Sequence, residues 1–239
     1  MSGFVDLHSH LLPGADDGVA TEADALECLR AAQGAGFTDI VLSRHQMAGV
    51  YTLGVEAARA GREALQRAAD AAGIAIRLHD GAEHYADDVF LGAVATGPEA
   101  IAGGRTLLVE VPMMGLPPFM ADMAFRIRVK GYSPLLAHVE RYRDVIDKPR
   151  RGRDLADMGY LLQVNLGSLA GVYGRQVERA ARELLGDGVV FCVAGDVHGP
   201  KWVAPSWVRG IKELRSYGDA AVRTWLADNP GRVLRGDSI

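Results

Sequence analysis

Residues 4–18 read FVDLHSHLLPGADDG, and this stretch sets the expectations for the rest of the chain. The apolar residues of FVDL predict a short buried strand, which leads directly into His8 and His10. Because side chains alternate between the two faces of a strand, both imidazoles are expected on one face. Two adjacent imidazoles form half of a metal site, and Asp16 and Asp17 add carboxylate oxygens after a Pro-Gly turn.

The composition is that of an ordinary globular protein. The chain has 239 residues, of which 49% are hydrophobic and 23% are charged, so one large core can be filled. The net charge of −4 gives no reason to expect a nucleic-acid partner. No apolar run approaches the roughly 18 residues of a membrane span. Residues 1–10 lack a signal-peptide pattern, and Cys28 and Cys192 lie in apolar patterns typical of buried thiols. We therefore expect a cytoplasmic protein without membrane insertion.

The hydrophobic periodicity predicts seven strand–helix units. The predicted strands cover residues 4–7, 37–43, 74–78, 106–111, 133–137, 160–165 and 189–194. The predicted helices cover residues 21–34, 55–72, 86–95, 119–129, 141–158, 176–185, 208–217 and 219–227. This alternation implies a parallel sheet, either as a closed barrel or as a doubly wound sheet. No linker divides the chain, so residues 1–239 are expected to form a single domain.

Residues that can bind metal ions recur at the ends of the predicted strands. Five of the seven histidines have this position. Because all carboxyl ends of the strands in a parallel barrel open on one face, the residues at these ends should converge there. The candidate metal ligands are His8, His10, Asp17, His45, Glu83, Glu110, His138, Asp196 and His198.

The donor set limits the metal and the reaction. Imidazoles and carboxylates without thiolates suit manganese, iron or zinc rather than a structural zinc site. About nine donors exceed the needs of one ion, and a carboxylate such as Glu83 could bridge two ions. Clusters of two or three ions lower the pKa of a shared water and bind a phosphoryl group during in-line attack. We therefore expect a hydrolase.

Phosphate also requires positive charge from the protein. Arg141 lies three residues after His138, so it is expected above the barrel mouth, where its planar guanidinium suits two phosphate oxygens. The alternative for Arg141 is a surface ion pair with a nearby acid. Arg44 and Lys201 are weaker candidates for the same role.

Other phosphatase and hydrolase motifs are absent from the sequence. Neither cysteine has an arginine six positions later, which excludes a cysteine-based phosphatase. The chain has no G-x-x-x-x-G-K-[ST] loop and no G-x-S-x-G elbow. Residues 167–169, Gly-Ser-Leu, are expected to form a turn rather than a nucleophile site.

Several motifs together resemble the polymerase and histidinol phosphatase (PHP) superfamily. They are DLHSHLLPGADDG at 6–18, GAE at 81–83, VEVP at 109–112, AHVERY at 137–142, QVNLGSLAGVYG at 163–174 and GDVHG at 195–199. Their order and spacing resemble the manganese-dependent protein-tyrosine phosphatases of bacterial capsule and exopolysaccharide loci. The resemblance spans residues 4–198.

This resemblance implies a distorted seven-unit (β/α)7 barrel with about three ions, Mn²⁺ foremost and iron or zinc as alternatives. It implies attack of a metal-bound hydroxide on phosphorus, with Arg141 binding the phosphate. The substrate would be a phosphotyrosine protein, the phosphorylated tail of a bacterial tyrosine autokinase. The implied ligand sets are His8, His10, Glu83 and Asp196 for the first ion, Glu83, Glu110 and His138 for the second, and Asp17, His45 and His198 for the third, with Asp16 as the alternative to Asp17.

The chain departs from the family pattern at four places, which together bear on the substrate. Val139 replaces the proline of His-Pro-Glu-Arg-Tyr, and Gly195 and Val197 replace the serine and alanine of Ser-Asp-Ala-His. Ser43-Arg44-His45 replaces the usual Thr-Pro-His, and the second phosphate-binding arginine expected shortly after the Asp-x-His motif is absent from residues 199–206, GPKWVAPS. A phosphatase of a small ester, such as histidinol phosphate or a nucleotide, is therefore the main alternative. An amidohydrolase-type metalloenzyme and a non-catalytic regulatory module are further alternatives, and the sequence leaves a homo-oligomer open.

Overall fold

The computed structural model describes residues 3–239, whose seven strands pair in sequence order, each parallel to the next. The strands are β1 Phe4–Ser9, β2 Phe37–Gln46, β3 Arg77–Tyr85, β4 Thr106–Glu110, β5 Ser133–Leu136, β6 Leu161–Asn165 and β7 Cys192–Ala194.

The first and last strands approach each other and nearly close the sheet into a barrel. Ser9 forms an isolated parallel bridge with Val197. The backbone N–H of Asp196 donates to the carbonyl of His8 at 2.8 Å, and the N–H of His10 donates to the carbonyl of Val197 at 3.0 Å. The predicted seven-unit barrel is therefore confirmed, and the doubly wound alternative is wrong.

Helices connect the strands on the outside of the barrel. The α-helices are α1 Glu22–Ala35, α2 Val55–Ala71, α3 Asp88–Ala93, α4 Met120–Val129, α5 Arg143–Asp147, α6 Arg151–Asp157, α7 Leu166–Leu169, α8 Arg175–Gly186, α9 Pro200–Val203, α10 Ile211–Leu214, α11 Asp219–Arg223 and α12 Asn229–Leu234. Further 3₁₀ and π-helical segments occur at Ile101–Gly103, Val139–Arg141, Ala204–Gly210, Arg215–Tyr217 and Thr224–Asp228. No helix within residues 3–239 is long and apolar enough to cross a membrane.

The first helix begins and ends where its local sequence predicts. The hydroxyl of Thr21 accepts a hydrogen bond from the N–H of Asp24, which satisfies a donor that the first turn leaves free. Gly36 ends the helix in the left-handed conformation at φ 100°, which a residue without a Cβ adopts at little cost.

Several predicted elements differ from those in the structure. β2 continues to Gln46 instead of ending at residue 43, and β7 covers Cys192–Ala194 instead of 189–194. The third strand runs from Arg77 to Tyr85 rather than over 74–78, because its polar end continues the parallel pairing with β2 as far as Gln46. Residues 141–158 form α5 and α6, separated near Pro149, instead of one helix. Residues 167–169 belong to α7, so the turn predicted there is wrong.

Two groups of buried apolar side chains fill the molecule. The larger one lies between the strands and the surrounding helices. The smaller one fills the barrel interior and includes Leu7, Val41, Leu108 and Cys192. Cys28 and Cys192 are buried free thiols, as the sequence predicts. The interior group leaves the carboxyl end of the barrel open to polar side chains.

Candidate metal centre

The alternation of side chains along the strands places the candidate ligands at the barrel mouth. In β2, Val41 lies in the apolar interior, and His45, four residues later, lines the mouth. The same two-residue repeat places Glu83 of β3, Glu110 of β4 and Asp196, just after β7, around one cavity of about 470 Å³. His45 and Glu83 therefore lie within strands, not in the loops after them.

Two of the histidines reach the mouth through irregular backbone. The register of β1 against β2 shifts between Asp6 and Ser9, and such a bulge re-aims the side chain of His8. His138 has a φ of 32° and Asp196 a φ of 50°, a region that non-glycine residues rarely adopt. Such an unfavourable backbone conformation persists only where the surrounding structure holds it, and residues of this kind cluster at functional sites.

The first group of converging donors consists of His8, His10 and Asp196. The Nε2 atoms of the two imidazoles are 3.1 Å apart. Oδ1 of Asp196 lies 3.4 Å from each of them. All three side chains are buried, so no bulk water separates these donors.

The second group consists of His45, Glu83 and Glu110, with His138 beside it. Nδ1 of His45 lies 2.9 Å from Oε2 of Glu83 and 3.9 Å from Oε2 of Glu110. Nε2 of His138 lies 3.1 Å from Oε1 of Glu83 and 3.5 Å from Oε1 of Glu110. The two oxygens of Glu83 thus face different imidazoles, as a carboxylate between two ions requires.

The third group consists of His10, Asp17, His45 and His198. Oδ1 of Asp17 lies 3.5 Å from Nε2 of His45 and 3.6 Å from Nε2 of His198. Asp16 has a different position: its Oδ2 contacts Nδ1 of His10 at 2.7 Å and accepts from the N–H of His45 at 2.9 Å. This geometry favours Asp17 as the ligand and Asp16 as the residue that orients His10.

The buried oxygen Oε2 of Glu83 tests whether these residues fit metal ions. It lies 2.9 Å from a ring nitrogen of His45, 3.3 Å from one of His8 and 3.4 Å from one of His10. None of these contacts has hydrogen-bond geometry, and the oxygen has no partner among the described residues. Lone-pair donors that converge without bonding one another fit a shared cation. The donor set of imidazoles and carboxylates therefore fits a cluster of divalent metal ions.

The ionisable side chains at the mouth shift one another's pKa values. Burial disfavours the charge of Glu83, but the surrounding imidazoles hold the pKa of Glu83 well below its usual range. Burial and the neighbouring Glu83 raise the pKa of Glu110 to about 7. Burial lowers the pKa of His8, but Glu83 and Asp196 outweigh this effect and raise it to about 9. Without a cation, protons therefore balance the carboxylates.

Two buried side chains of β6, Gln163 and Asn165, had no role predicted from the sequence. Oε1 of Gln163 accepts from Nδ1 of His8 at 3.0 Å, which turns Nε2 of His8 toward the other donors of the first group. Nε2 of Gln163 donates to Oδ1 of Asn165 at 2.7 Å, and Nδ2 of Asn165 donates to Oδ2 of Asp196 at 2.7 Å. Their signal in the sequence was two polar residues with a spacing of two in an otherwise apolar strand.

Asp6 is another residue that the sequence analysis missed. Its buried carboxylate accepts from the N–H of His8 at 3.0 Å, from the N–H of Gly195 at 2.9 Å and from Nε1 of Trp207 at 2.6 Å. Burial raises the pKa of Asp6 to about 6, although these hydrogen bonds oppose the rise. Asp6 thus joins β1 to the segment after β7 directly below the first donor group.

The predicted phosphate-binding residues have different surroundings. Arg141 lines the cavity, and its Nη1 donates to Oδ2 of Asp196 at 3.1 Å. Lys201 also lines the cavity. Arg44 instead is buried on the outer side of β2, where it pairs with Oε2 of Glu99 at 2.8 Å. The prediction that Arg44 could bind phosphate is wrong, because adjacent residues of a strand face opposite sides and His45 occupies the inner one.

The chain matches a family model described as capsular polysaccharide synthesis, CpsB/CapC, over residues 4–235. The tyrosine-protein phosphatase YwqE of Bacillus subtilis (strain 168) is 29% identical over 99% of this chain and 93% of its own length. The putative tyrosine-protein phosphatase CapC of Staphylococcus aureus is 27% identical over 82% of this chain and 77% of its own length.

Solved structures give a consistent result. One from work on YwqE of Bacillus subtilis and CpsB of Streptococcus pneumoniae, described there as unique metal-dependent tyrosine phosphatases, has a TM-score of 0.91 at 27% identity, covering 98% of this chain and 96% of that chain. The phosphotriesterase homology protein of Escherichia coli has a TM-score of 0.61 at 13% identity, covering 98% and 99%, and shows a shared fold alone. The chain therefore belongs to the CpsB/CapC family of capsular polysaccharide synthesis proteins.

Proposed function

We propose that this protein is a metal-dependent protein-tyrosine phosphatase. One observation carries the proposal: seven of the nine candidate ligands line a single cavity together with the guanidinium of Arg141, and the other two, His8 and His10, are buried in contact with them. Relatives along nearly the whole chain bear the name tyrosine-protein phosphatase, which favours phosphotyrosine over other esters.

The finer features of the proposal follow from the donor set and the resemblance. Residues 1–239 act as one phosphatase domain that holds about three ions, with Mn²⁺ preferred. The ligands are His8, His10, Asp17, His45, Glu83, Glu110, His138, Asp196 and His198. The substrate is the phosphorylated tail of a tyrosine autokinase, and the protein acts in the cytoplasm.

Side chains of this chain position the reacting groups. The bound ions would activate a water and polarise the phosphoryl oxygens. Arg141 presents a fixed guanidinium to the phosphate, because its Nη1 is already held by Asp196. Gln163 and Asp16 hold the rings of His8 and His10, so their Nε2 atoms face Glu83 and Asp196.

Reconstitution of the purified protein tests the function. Protein stripped with a chelator and reloaded with Mn²⁺ should hydrolyse phosphotyrosyl peptides faster than phosphoseryl peptides or histidinol phosphate. Glu83→Gln should abolish the activity, whereas the control Glu213→Gln, at a surface pair with Arg182, should retain it.

Three outcomes would contradict parts of the proposal. No hydrolysis of any phosphate ester after reloading would reject a phosphatase. Full activity of Glu83→Gln would reject the proposed centre. Faster turnover of histidinol phosphate than of phosphotyrosyl peptides would select the small-ester alternative.

A further inference from the structure

We propose that Tyr173 and Trp202 form an aromatic wall that selects phosphate esters of aromatic alcohols by stacking on the ring of the leaving group. This inference rests on the proposed function and assigns substrate selection to two residues outside the donor groups. Both side chains line the same cavity as the candidate ligands. Tyr173 lies in the motif QVNLGSLAGVYG at 163–174, but no role was predicted for either residue from the sequence.

One end of the wall, the ring of Tyr173, lies against the guanidinium of Arg141. Its Cζ lies 4.3 Å from the centroid of the Tyr173 ring, over the face of the ring, where a cation is attracted by the π electrons. Its Nη1 is held by Oδ2 of Asp196 at 3.1 Å. The guanidinium is thus fixed between a carboxylate and an aromatic face, so a phosphate bound to Arg141 lies next to Tyr173.

The wall continues through Trp202 to the third donor group. The rings of Tyr173 and Trp202 are nearly parallel, with centroids 6.2 Å apart and an interplanar angle of 22°. The Trp202 ring lies 6.4 Å from the imidazole of His198 at 57°. Both aromatic side chains are half-buried, so part of each ring stays accessible from the cavity. The accessible part of either ring can accept a further aromatic ring in offset or edge contact, at a centroid distance of about 4.5–7 Å.

The other sides of the cavity offer much less apolar surface. Met113 is the one aliphatic side chain among the lining residues described, and the remainder are charged or imidazole side chains. An ester that places its phosphate at Arg141 therefore meets apolar surface on the wall and at Met113. An aromatic leaving group can use this surface by stacking and by sulfur contact, whereas a short alkyl group leaves it exposed to water.

Binding of two non-hydrolysable phosphonates tests the wall directly. Phenylphosphonate and methylphosphonate share the anionic head and differ in the ring, and calorimetry with Mn²⁺-loaded protein gives both dissociation constants. We expect the protein to prefer phenylphosphonate. Trp202→Leu should reduce this preference about threefold to tenfold, the range expected for one aromatic contact. Trp202→Phe should keep most of it, and Tyr173→Leu should reduce it as well.

Phe125→Leu is the matched control, because Phe125 is an exposed aromatic residue of α4 that does not line the cavity. Thermal unfolding checks that each variant is folded, and Trp202→Phe tests the wall if the leucine variant is not. Equal binding of the two phosphonates by the unmodified protein would overturn the inference. An unchanged preference in both Trp202→Leu and Tyr173→Leu would do the same.

The phosphonate measurement does not depend on turnover, so the two proposals can fail separately. A preference for phenylphosphonate that depends on the wall, in a protein that hydrolyses no phosphate ester, would reject the phosphatase and keep the wall. Hydrolysis of phosphotyrosyl peptides with no effect of Trp202 or Tyr173 on the preference would reject the wall and keep the phosphatase.

Discussion

Replacement of Gln163 with leucine should weaken metal binding although Gln163 is not itself a candidate ligand. Its Oε1 accepts from Nδ1 of His8 at 3.0 Å and from the N–H of His138 at 2.9 Å, and its Nε2 donates to Asn165 at 2.7 Å. Leucine is similar in size but leaves all three buried groups without their partner. The ring of His8 then loses the hydrogen bond that fixes its tautomer and orientation.

The contacts of Gln163 give the expected size of two separate effects, a loss of stability and a loss of metal affinity. Each buried polar group that loses its partner costs about 1–3 kcal/mol. For three such groups, and with some relaxation of the surrounding side chains, the free energy of unfolding should fall by about 3–6 kcal/mol. Loss of the residue that orients a ligand lowers metal affinity by about 10- to 100-fold. Loss of buried hydrogen bonds anywhere in the core would reduce stability. Only the loss of hydrogen bonds near the metal centre would also reduce metal affinity.

Gln66→Leu is the matched control for this difference. Gln66 lies on α2 and also makes three hydrogen bonds, to Asp70, Ile76 and Leu78, but far from the mouth. Both variants should be less stable in urea, and only Gln163→Leu should bind Mn²⁺ more weakly in a competition titration with a chelator. The reasoning is refuted if folded Gln163→Leu binds Mn²⁺ as tightly as the unmodified protein.

Three further predictions concern the charges of the molecule. The pKa values of His8, His10 and His45 are raised, and that of Glu110 is raised to about 7, so Mn²⁺ binding should release at least two protons per chain and tighten from pH 6 to pH 9. Calorimetry in buffers of different ionisation enthalpy counts the released protons, and a pH-independent affinity would contradict this prediction. Arg141→Lys should lower kcat/KM for phosphotyrosyl peptides about 100-fold, and its metal content, measured by mass spectrometry, should stay unchanged. A fully active lysine variant would show that the guanidinium is not needed. Burial would raise the pKa of Asp39, but its partners, which include His79 and Arg77, hold this pKa at about 2. The ionised carboxylate therefore stabilises the fold above about pH 4, and this stabilisation is lost as the pH falls toward 2. Asp39→Asn should therefore lower the free energy of unfolding by about 1–2 kcal/mol at pH 7 in urea titrations, and equal stability of the two proteins at pH 7 would exclude this contribution.

The barrel was predictable because each unit buries a strand and one face of a helix, and both leave a period in the sequence. The third strand was misplaced because its polar residues 79–84 are held by pairing with β2 rather than by apolar side chains. Hydrophobic periodicity detects apolar side chains, so it misses the end of a strand whose inner face carries Gly81 and the candidate ligand Glu83.

The convergence of the candidate ligands was predictable because parallel strands end on one face. The side-chain alternation within β2 also excludes Arg44 from the mouth once His45 is placed there, so this error was avoidable. The positive φ of His138 and the contacts of Asp6, Gln163, Tyr173 and Trp202 depend on neighbours distant in sequence. No local pattern encodes such contacts, which is why the structure was needed to find them.

The central claim is that the barrel mouth holds a metal cluster that binds phosphate together with Arg141. Crystals grown with Mn²⁺ and phosphate, measured at the manganese absorption edge, test this claim most directly. We predict about three anomalous peaks within about 2.5 Å of the donor atoms at the mouth, with a phosphate oxygen on the Arg141 guanidinium. Manganese peaks confined to other parts of the molecule, or no peak at the mouth at saturating Mn²⁺, would contradict it.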